Sequence, residues 1–161
     1  MKEKTKKIME QISRGESSIK KIAFHANKTA NSKGFWDDDN EFIEYLQKNN
    51  QEKFAKVFNN YRITTRIALV ITELGEAVEA VRTSERRHAN MKAFTRDVLE
   101  GDVDFVDAFI DHLKHTPEEE LADAVIRLFD MCEELYPYTW KIMFAKMAYN
   151  QTRGRKHGKK F

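Results

Sequence analysis

Residues 61–83 have the apolar periodicity of a long amphipathic helix. Apolar side chains recur there at offsets of four and three, at Ile63, Ile67, Val70, Leu74, Val78 and Val81. These offsets place side chains on one face of an α-helix, whereas a half-buried strand alternates every second residue. The chain has only 6 Gly and 2 Pro in 161 residues, so few turns are available and several long helices are favoured over many short strands. The sequence therefore predicts an all-α fold.

Local start and stop signals divide the N-terminal part of the chain into helices. Residues 3–13 predict a short helix, and Ser17 is a suitable N-cap for a second helix that runs to about Lys33. Gly34 stands where a C-terminal glycine ends a helix. After a loop, Asn40 is the predicted cap of a further helix.

The C-terminal part of the chain contains a clearer start signal. Thr116 is a suitable N-cap, Pro117 takes the first helical position, and Glu119 stands three residues after the cap. A last helix is expected at about residues 138–152. The helix that begins at Pro117 carries one apolar stripe, consisting of Leu121, Val125, Leu128, Cys132 and Leu135.

Length bounds the organisation of the chain. One domain with one core suits 161 residues, so residues 1–161 are expected to form a single domain. Residues 84–115 are expected to form an insert of one or two short helices, and residues 154–161 a basic C-terminal tail. Six residues of the insert are expected to turn inward, namely Phe94, Val98, Phe105, Val106, Phe109 and Ile110.

Composition excludes several classes of protein. No apolar stretch approaches the length that crosses a bilayer, and residues 1–18 are basic without the apolar segment of a secretory signal. Cys132 is the only cysteine, which excludes an intrachain disulfide and predicts a plain core residue. A cytoplasmic protein with no membrane partner is therefore expected.

Two acidic pairs are the candidate metal ligands. Glu73 and Glu76 are three residues apart, so they share a face of the 61–83 helix and lie on the flank of its stripe. Glu120 and Asp123 repeat this spacing, with Glu119 one turn from Asp123. If the two helices pack antiparallel, the carboxylates face one space, where oxygen ligands suit Mg²⁺ or Mn²⁺. Spacing alone leaves a solvated surface as an equal alternative.

A basic stripe is the candidate phosphate-binding surface. Lys146, Asn150 and Arg153 are spaced four and three apart, and Lys156 and His157 follow in the tail. Lysine offers a point charge to a phosphate, and arginine offers a fork that matches two phosphate oxygens. The alternative is a frayed basic terminus that has no role or that loosely binds nucleic acid, although nucleic acid is not the expected partner.

Histidine and tryptophan side chains complete the candidates. Trp36 follows a helix-ending glycine and could stack on a base, with His25 nearby, although a core position is the more common role for such a tryptophan. His112 and His115 are interpreted as surface residues of the insert that do not bind metal.

Four motifs occur in an order that resembles a known family. They are His25…Gly34-Phe35-Trp36, Thr72-Glu73-Leu74-Gly75-Glu76-Ala77, Glu119-Glu120-Leu121-Ala122-Asp123, and Lys146…Asn150…Arg153…Lys156-His157-Gly158-Lys159-Lys160. This order resembles the MazG-like nucleoside triphosphate pyrophosphohydrolases of the all-α NTP pyrophosphatase group. The resemblance covers about residues 20–83 and 116–161.

The resemblance implies a fold, a reaction and a set of roles. The fold is a helical bundle with a four-helix core around an acidic metal site, assembled as a homodimer or homotetramer. The reaction is magnesium-dependent cleavage of a (d)NTP to (d)NMP and pyrophosphate, with Mn²⁺ as a substitute. The metal ligands are Glu73, Glu76, Glu120 and Asp123. The substrate contacts are Lys146, Asn150, Arg153, Lys156, His157, Trp36 and His25, and the candidates for handling the attacking water are Glu76 and Glu119.

Two departures from the family pattern and two rival functions stay open. The stretch between the acidic motifs is longer than the family pattern, and Thr72 stands where many members carry another Glu. A non-catalytic helical binding module, or a family member that has lost turnover, is the main alternative. A di-iron carboxylate protein is disfavoured because neither acidic motif contains a His.

Overall fold

The computed structural model describes residues 2–83, 88–101 and 103–154, and for residues 2–16 it describes the backbone alone. Every regular element in these ranges is an α-helix, which confirms the all-α prediction. The helices are α1 (Lys2–Ser32), α2 (Asp37–Lys48), α3 (Glu52–Thr83), α4 (Met91–Glu100), α5 (Phe105–His112), α6 (Pro117–Leu135) and α7 (Thr139–Gln151). None of these helices is long and apolar enough to span a membrane.

The chain divides into two compact units. One unit consists of residues 1–38 and 129–161, and the other consists of residues 39–128. Helix α6 contributes its first part to the second unit and its last part to the first. The single domain and the four-helix core stay predictions.

Helices α1 and α7 pack together in the first unit. The core there contains Ala23, Met131, Cys132 and Trp140, and the Phe129 ring meets the Trp140 ring edge-on at 4.8 Å between centroids. Cys132 is thus a core residue, as the sequence predicts, and burial raises the pKa of its thiol.

Helix α1 is one continuous helix, so the predicted break at Ser17 is wrong. Serine inside a helix costs only a few tenths of a kcal/mol, and no proline interrupts this stretch. The predicted stop at Gly34 is confirmed. Gly34 has a φ of 77°, its N–H donates to the Asn31 carbonyl at 3.0 Å, and the Phe35 N–H donates to the Ala30 carbonyl at 3.1 Å. This is the Schellman arrangement, which requires a left-handed residue at that position.

Helices α2 and α3 begin earlier than the sequence predicts. Asn40 lies inside α2 and does not cap it, and its Oδ1 accepts a hydrogen bond from Arg62 Nη1 at 3.1 Å. Asn50 follows α2 with a φ of 56°, and the Gln51 N–H donates to the Leu46 carbonyl at 2.9 Å. Asparagine therefore provides the left-handed stop that glycine provides after α1.

The face that α3 buries is not its apolar stripe. Arg62, Glu73 and Ala77 are the buried residues of α3, whereas Ile67 is 43% exposed and Val81 is 68% exposed. The flank of the stripe, which carries Glu73, is therefore the surface that packs within the chain.

The described part of the insert contains two short helices, α4 and α5, which agrees with the one or two predicted, and the two helices pack together. The Phe94 ring meets the rings of Phe105 and Phe109 at 5.6 and 6.5 Å between centroids. Phe94, Val98 and Phe109 are partly buried, as expected. The other three residues expected to turn inward are mostly exposed, namely Phe105, Val106 and Ile110.

The predicted start of α6 is confirmed. Thr116 is fully buried, and its Oγ1 accepts from the Glu119 N–H at 3.3 Å while donating to the Leu113 carbonyl at 2.7 Å. The apolar stripe of α6 is shared between the two units. Cys132 is buried in the first unit, and Leu121, Val125 and Leu128 are exposed in the second.

Candidate functional site

Three of the four predicted metal ligands come together in the second unit. Carboxylate oxygens of Glu73 on α3 and of Glu120 and Asp123 on α6 all lie within 4.8 Å of one another. Glu73 is 6% exposed and Glu120 is 9% exposed, while Asp123 is partly exposed. We call these three residues the acidic cluster. The two acidic motifs therefore do face one space.

The fourth predicted ligand, Glu76, lines an adjoining cavity. This cavity of about 310 Å³ is lined by Glu76, Glu79, Ala80, Thr83, His115 and Glu120. Because Glu120 belongs both to the cavity and to the acidic cluster, it joins the two.

The carboxylate of Glu120 has no hydrogen-bond donor among the residues that the structure describes. Its burial, followed by the negative charges of Glu119, Glu76, Asp123 and Glu73, raises its pKa. Burial, followed by the charges of Glu119 and Glu73, also raises the pKa of Asp123, with Arg127 and Lys114 opposing. A buried carboxylate in such surroundings is relieved by a proton or by a cation.

Arg127 is a site residue that sequence analysis missed. Its Nε donates a hydrogen bond to Glu73 Oε1, and its side chain is 41% exposed. The signal was present, because Arg127 is four residues after Asp123 and shares its helical face. Arg127 supplies one positive charge to a cluster of three carboxylates.

Glu119 and His115 also adjoin Glu120. Glu119 Oε2 accepts from the His115 backbone N–H at 2.8 Å, so this carboxylate is already engaged in ordering the start of α6. A ring nitrogen of His115 and carboxylate oxygens of Glu119 and Glu120 lie within 4.8 Å of one another. His115 is an exposed surface residue, as predicted, but the sequence does not predict its position beside Glu120.

Trp36 and His25 lie in the first unit. Trp36 is 0% exposed, and its Nε1 donates to Asp130 Oδ1 at 2.9 Å. A base could stack on this ring only after the surrounding packing opens. His25 is exposed and meets the Phe24 ring edge-on at 5.8 Å between centroids.

The described basic residues lie around one tyrosine of the first unit. Lys146 Nζ is 4.9 Å from the Tyr149 ring centroid, and Arg153 Cζ is 5.9 Å from it. Arg153 follows α7 and is not part of it. No donor among the described residues reaches the buried Oδ1 of Asn150. Lys156 and His157 lie outside the described residues.

Comparison with known proteins adds no relative. No protein-family model, no curated protein and no solved structure matches this chain. The resemblance to the MazG-like hydrolases therefore rests on the motifs alone, and the function is argued from the chemistry of the residues.

Proposed function

We propose that the chain is a metal-dependent nucleoside triphosphate pyrophosphohydrolase that releases nucleoside monophosphate and pyrophosphate. The observation that carries the proposal is the acidic cluster, in which two buried carboxylates from different helices lie together. Proteins rarely bury carboxylates side by side unless the charge is neutralised. The motif order supports the same function.

The residues of the cluster fit a hard divalent cation. Glu73, Glu120 and Asp123 offer only oxygen ligands, as Mg²⁺ and Mn²⁺ prefer, and Glu76 at the adjoining cavity is the fourth proposed ligand. Glu120 is 9% exposed as a whole residue, and its carboxylate has no donor among the described residues, so it is available to a cation. Such an ion, when bound, neutralises phosphate charge and lowers the pKa of water.

Side chains of this protein are proposed to accept the proton of the attacking water and to bind the phosphates. A water oxygen forms a bond to the α-phosphorus. The bond between the α-phosphorus and the oxygen that bridges it to the β-phosphate breaks, and the electron pair of that bond leaves with pyrophosphate. Glu76 is the better candidate to take the proton of this water, because it is exposed and Glu119 is engaged by the His115 N–H. Lys146, Asn150 and Arg153, with Lys156 and His157, are the proposed phosphate contacts.

Product analysis tests the reaction. The protein is incubated with a panel of NTPs and dNTPs in Mg²⁺, in Mn²⁺ and in chelator. We expect monophosphate and pyrophosphate with metal and no turnover in chelator. Diphosphate with orthophosphate would mean attack at another phosphorus, and the absence of turnover with every nucleotide would favour the non-catalytic binding module.

Three variants test the roles of the acidic residues. Glu73→Gln and Asp123→Asn should abolish hydrolysis while the helical content measured by circular dichroism stays unchanged. Glu76→Gln should lower kcat by about 10²- to 10⁴-fold, the usual contribution of a general base. Glu41→Gln, on the exposed side of α2, is the matched control. An active Asp123→Asn protein contradicts the ligand assignment.

We also propose that the second unit assembles into a homodimer or homotetramer. Helix α3 exposes Ile67, Ile71, Leu74, Val78 and Val81, which we call the α3 stripe. Offsets of four and three over this length are typical of a helix–helix seam. Val81 and Leu121 line one cavity of about 450 Å³, so the exposed part of the α6 stripe adjoins it. Contiguous apolar surface of this kind marks interaction sites.

The assembly is tested by light scattering coupled to size-exclusion chromatography. Val78→Lys places a charge within the α3 stripe at a residue that is 61% exposed, so the subunit should still fold but elute as a monomer. Thr65→Lys, on another exposed face of α3, should leave the assembly intact. A wild-type monomer at all concentrations would exclude this assembly.

A further inference from the structure

Tyr149 is an exposed aromatic residue of α7 to which the pyrophosphohydrolase proposal gives no role. Its side chain belongs to a residue that is 55% exposed, with Lys146 three residues before it and Arg153 four residues after it. The Lys146 Nζ lies 4.9 Å from the centroid of the Tyr149 ring, and the Arg153 Cζ lies 5.9 Å from it. One ring therefore lies beside two of the three described residues of the basic stripe.

The backbone after α7 brings Arg153 to this ring. Helix α7 ends at Gln151, so Arg153 lies beyond the regular helix. The Thr152 N–H and Oγ1 both donate to the Tyr149 carbonyl, at 3.0 and 2.7 Å, and the Arg153 N–H donates to the Asn150 carbonyl at 3.2 Å. These bonds continue one tight turn past the end of α7. Residues three and four apart in such a turn share a face, so Arg153 stays on the side of α7 that carries Tyr149.

The contacts of the ring are of the cation–π kind. The face of an aromatic ring carries partial negative charge, and it attracts an ammonium or guanidinium group within about 6 Å of its centroid. Both distances to the Tyr149 ring meet this condition. The two cations repel each other, and each stands at the end of a long side chain with many rotamers. The ring opposes that repulsion, and it reduces the rotamer freedom that Lys146 and Arg153 would otherwise lose when a ligand binds.

We propose that Tyr149 is a positioning residue that holds the Lys146 ammonium and the Arg153 guanidinium together for neighbouring phosphate groups of a polyphosphate ligand. Lysine supplies a point charge to one phosphate, and arginine supplies a fork that matches two oxygens of the next. The ring itself acts through the two cations and needs no contact with the ligand. The inference rests on the phosphate contacts of the proposed function and goes beyond them in naming the residue that arranges them.

Isothermal titration calorimetry with inorganic tripolyphosphate, in chelator and at low ionic strength, tests the role of the ring. One exposed cation–π contact changes an equilibrium constant by about two- to fivefold, so Tyr149→Leu should weaken binding by about that factor. Tyr149→Phe keeps the ring and should bind within about twofold of the wild type. Tyr138→Leu is the matched control, because Tyr138 is 70% exposed and directly precedes α7, and its Kd should equal that of the wild type.

A double-mutant cycle separates a positioning role from a structural one. In a Lys146→Met background, the loss of affinity caused by Tyr149→Leu should shrink, because one of the two cations that the ring arranges is gone. A ring that only packs against α7 would cause the same loss in both backgrounds, and that result overturns the inference. The helical content measured by circular dichroism should be the same for all of these variants, since Tyr149 is more than half exposed.

The outcomes separate this inference from the proposed function. Equal tripolyphosphate affinity of Tyr149→Leu and the wild type overturns the role of Tyr149 and leaves the phosphate contacts in place. A loss in Tyr149→Leu that Tyr149→Phe restores, in a protein that hydrolyses no nucleotide, supports the role of Tyr149 and overturns the pyrophosphohydrolase. A wild-type protein that binds no tripolyphosphate overturns both the role of Tyr149 and the phosphate contacts.

Discussion

Replacing Glu120 with Gln should make the metal-free protein more stable and the metal-bound protein less stable than the wild type. The reason is the burial of this carboxylate among other carboxylates, with no donor from the described residues. Glutamine keeps the shape of the side chain and removes the charge. The same substitution is therefore expected to stabilise the protein without metal and to destabilise it with metal.

The magnitude follows from the spacing of the cluster. Oxygens of Glu120, Glu73 and Asp123 lie within 4.8 Å of one another. Two unit charges at this separation repel by about 1 kcal/mol in water and about 3 kcal/mol at the effective dielectric constant near a protein surface. Arg127 offsets the charge of Glu73, so Glu119, Glu76 and Asp123, in that order, are the neighbours that repel the charge of Glu120. We expect a gain of about 1–2 kcal/mol, or about 2–8 °C in Tm for a chain of this size.

The stabilisation should depend on pH. Because burial and the neighbouring charges raise the pKa of Glu120 above the ordinary value of 4.5, the folded protein holds this proton more tightly than the unfolded chain. The metal-free wild type should therefore lose stability as pH rises from about 4.5 through the raised pKa. Glu120→Gln has no proton to lose there, so its advantage should appear at neutral pH and vanish below about pH 4.5.

Thermal denaturation followed by circular dichroism measures both effects, in chelator and in Mn²⁺. At a metal concentration one hundred times Kd, the wild type should gain about 2.7 kcal/mol, and Glu120→Gln should gain so much less that the wild type becomes the more stable protein. Glu41→Gln serves as the exposed control. If Glu120→Gln is less stable than the wild type in chelator at neutral pH, the Glu120 carboxylate makes a favourable contact and the reasoning fails.

Three further changes test contacts that hold the site and the fold, each by urea denaturation. Arg127→Met removes the counter-charge of buried Glu73 and should lower the free energy of unfolding by about 1–3 kcal/mol in chelator, less than for a fully buried pair because the guanidinium is partly exposed. Arg127→Lys keeps the charge and should lower it less. A loss of stability that does not shrink in Mn²⁺ would contradict the electrostatic explanation. Thr116→Ala removes a buried cap and should cost about 1 kcal/mol, with Thr116→Ser near wild type; equal stability of the two variants would exclude the hydroxyl as the cause. Gly34→Ala places a side chain at a φ of 77° and should cost about 1 kcal/mol, and unchanged stability would argue against the left-handed stop.

Local chemistry made parts of the fold predictable. The stop at Gly34 and the start at Thr116 each depend on hydrogen bonds between residues at most five apart, and the sequence displays those residues directly. Ser17 and Asn40 carry the same kind of signal and yet lie inside helices. A residue that can cap a helix does not end or begin one when the chain on both sides is able to stay helical.

The site was predictable only in part, because contacts between helices decide the rest. The spacing of Glu73, Glu120 and Asp123 placed them on two helical faces, and their approach required packing that no spacing encodes. Arg127 was missed because it contacts Glu73 on another helix, and His115 was missed because it precedes the Thr116 cap while the residues beside it follow that cap. The exposure of Ile67, Leu74, Val78 and Val81, from the apolar stripe predicted at residues 61–83, was also hidden, since a stripe predicts burial without naming the surface that covers it.

The surface of α3 is divided so that two separate binding events are expected to stabilise the protein. The chain buries Glu73 and Ala77, and it leaves the next residue, Val78, 61% exposed. Burying a carboxylate opposes folding. The exposed α3 stripe would contribute about 25 cal/mol of stability for each Å² of apolar surface that burial removes from water. A cation relieves the first and a second copy of the stripe relieves the second. The Tm should therefore rise with protein concentration as well as with metal concentration. Val78→Lys should abolish the dependence on protein concentration and retain the dependence on metal concentration.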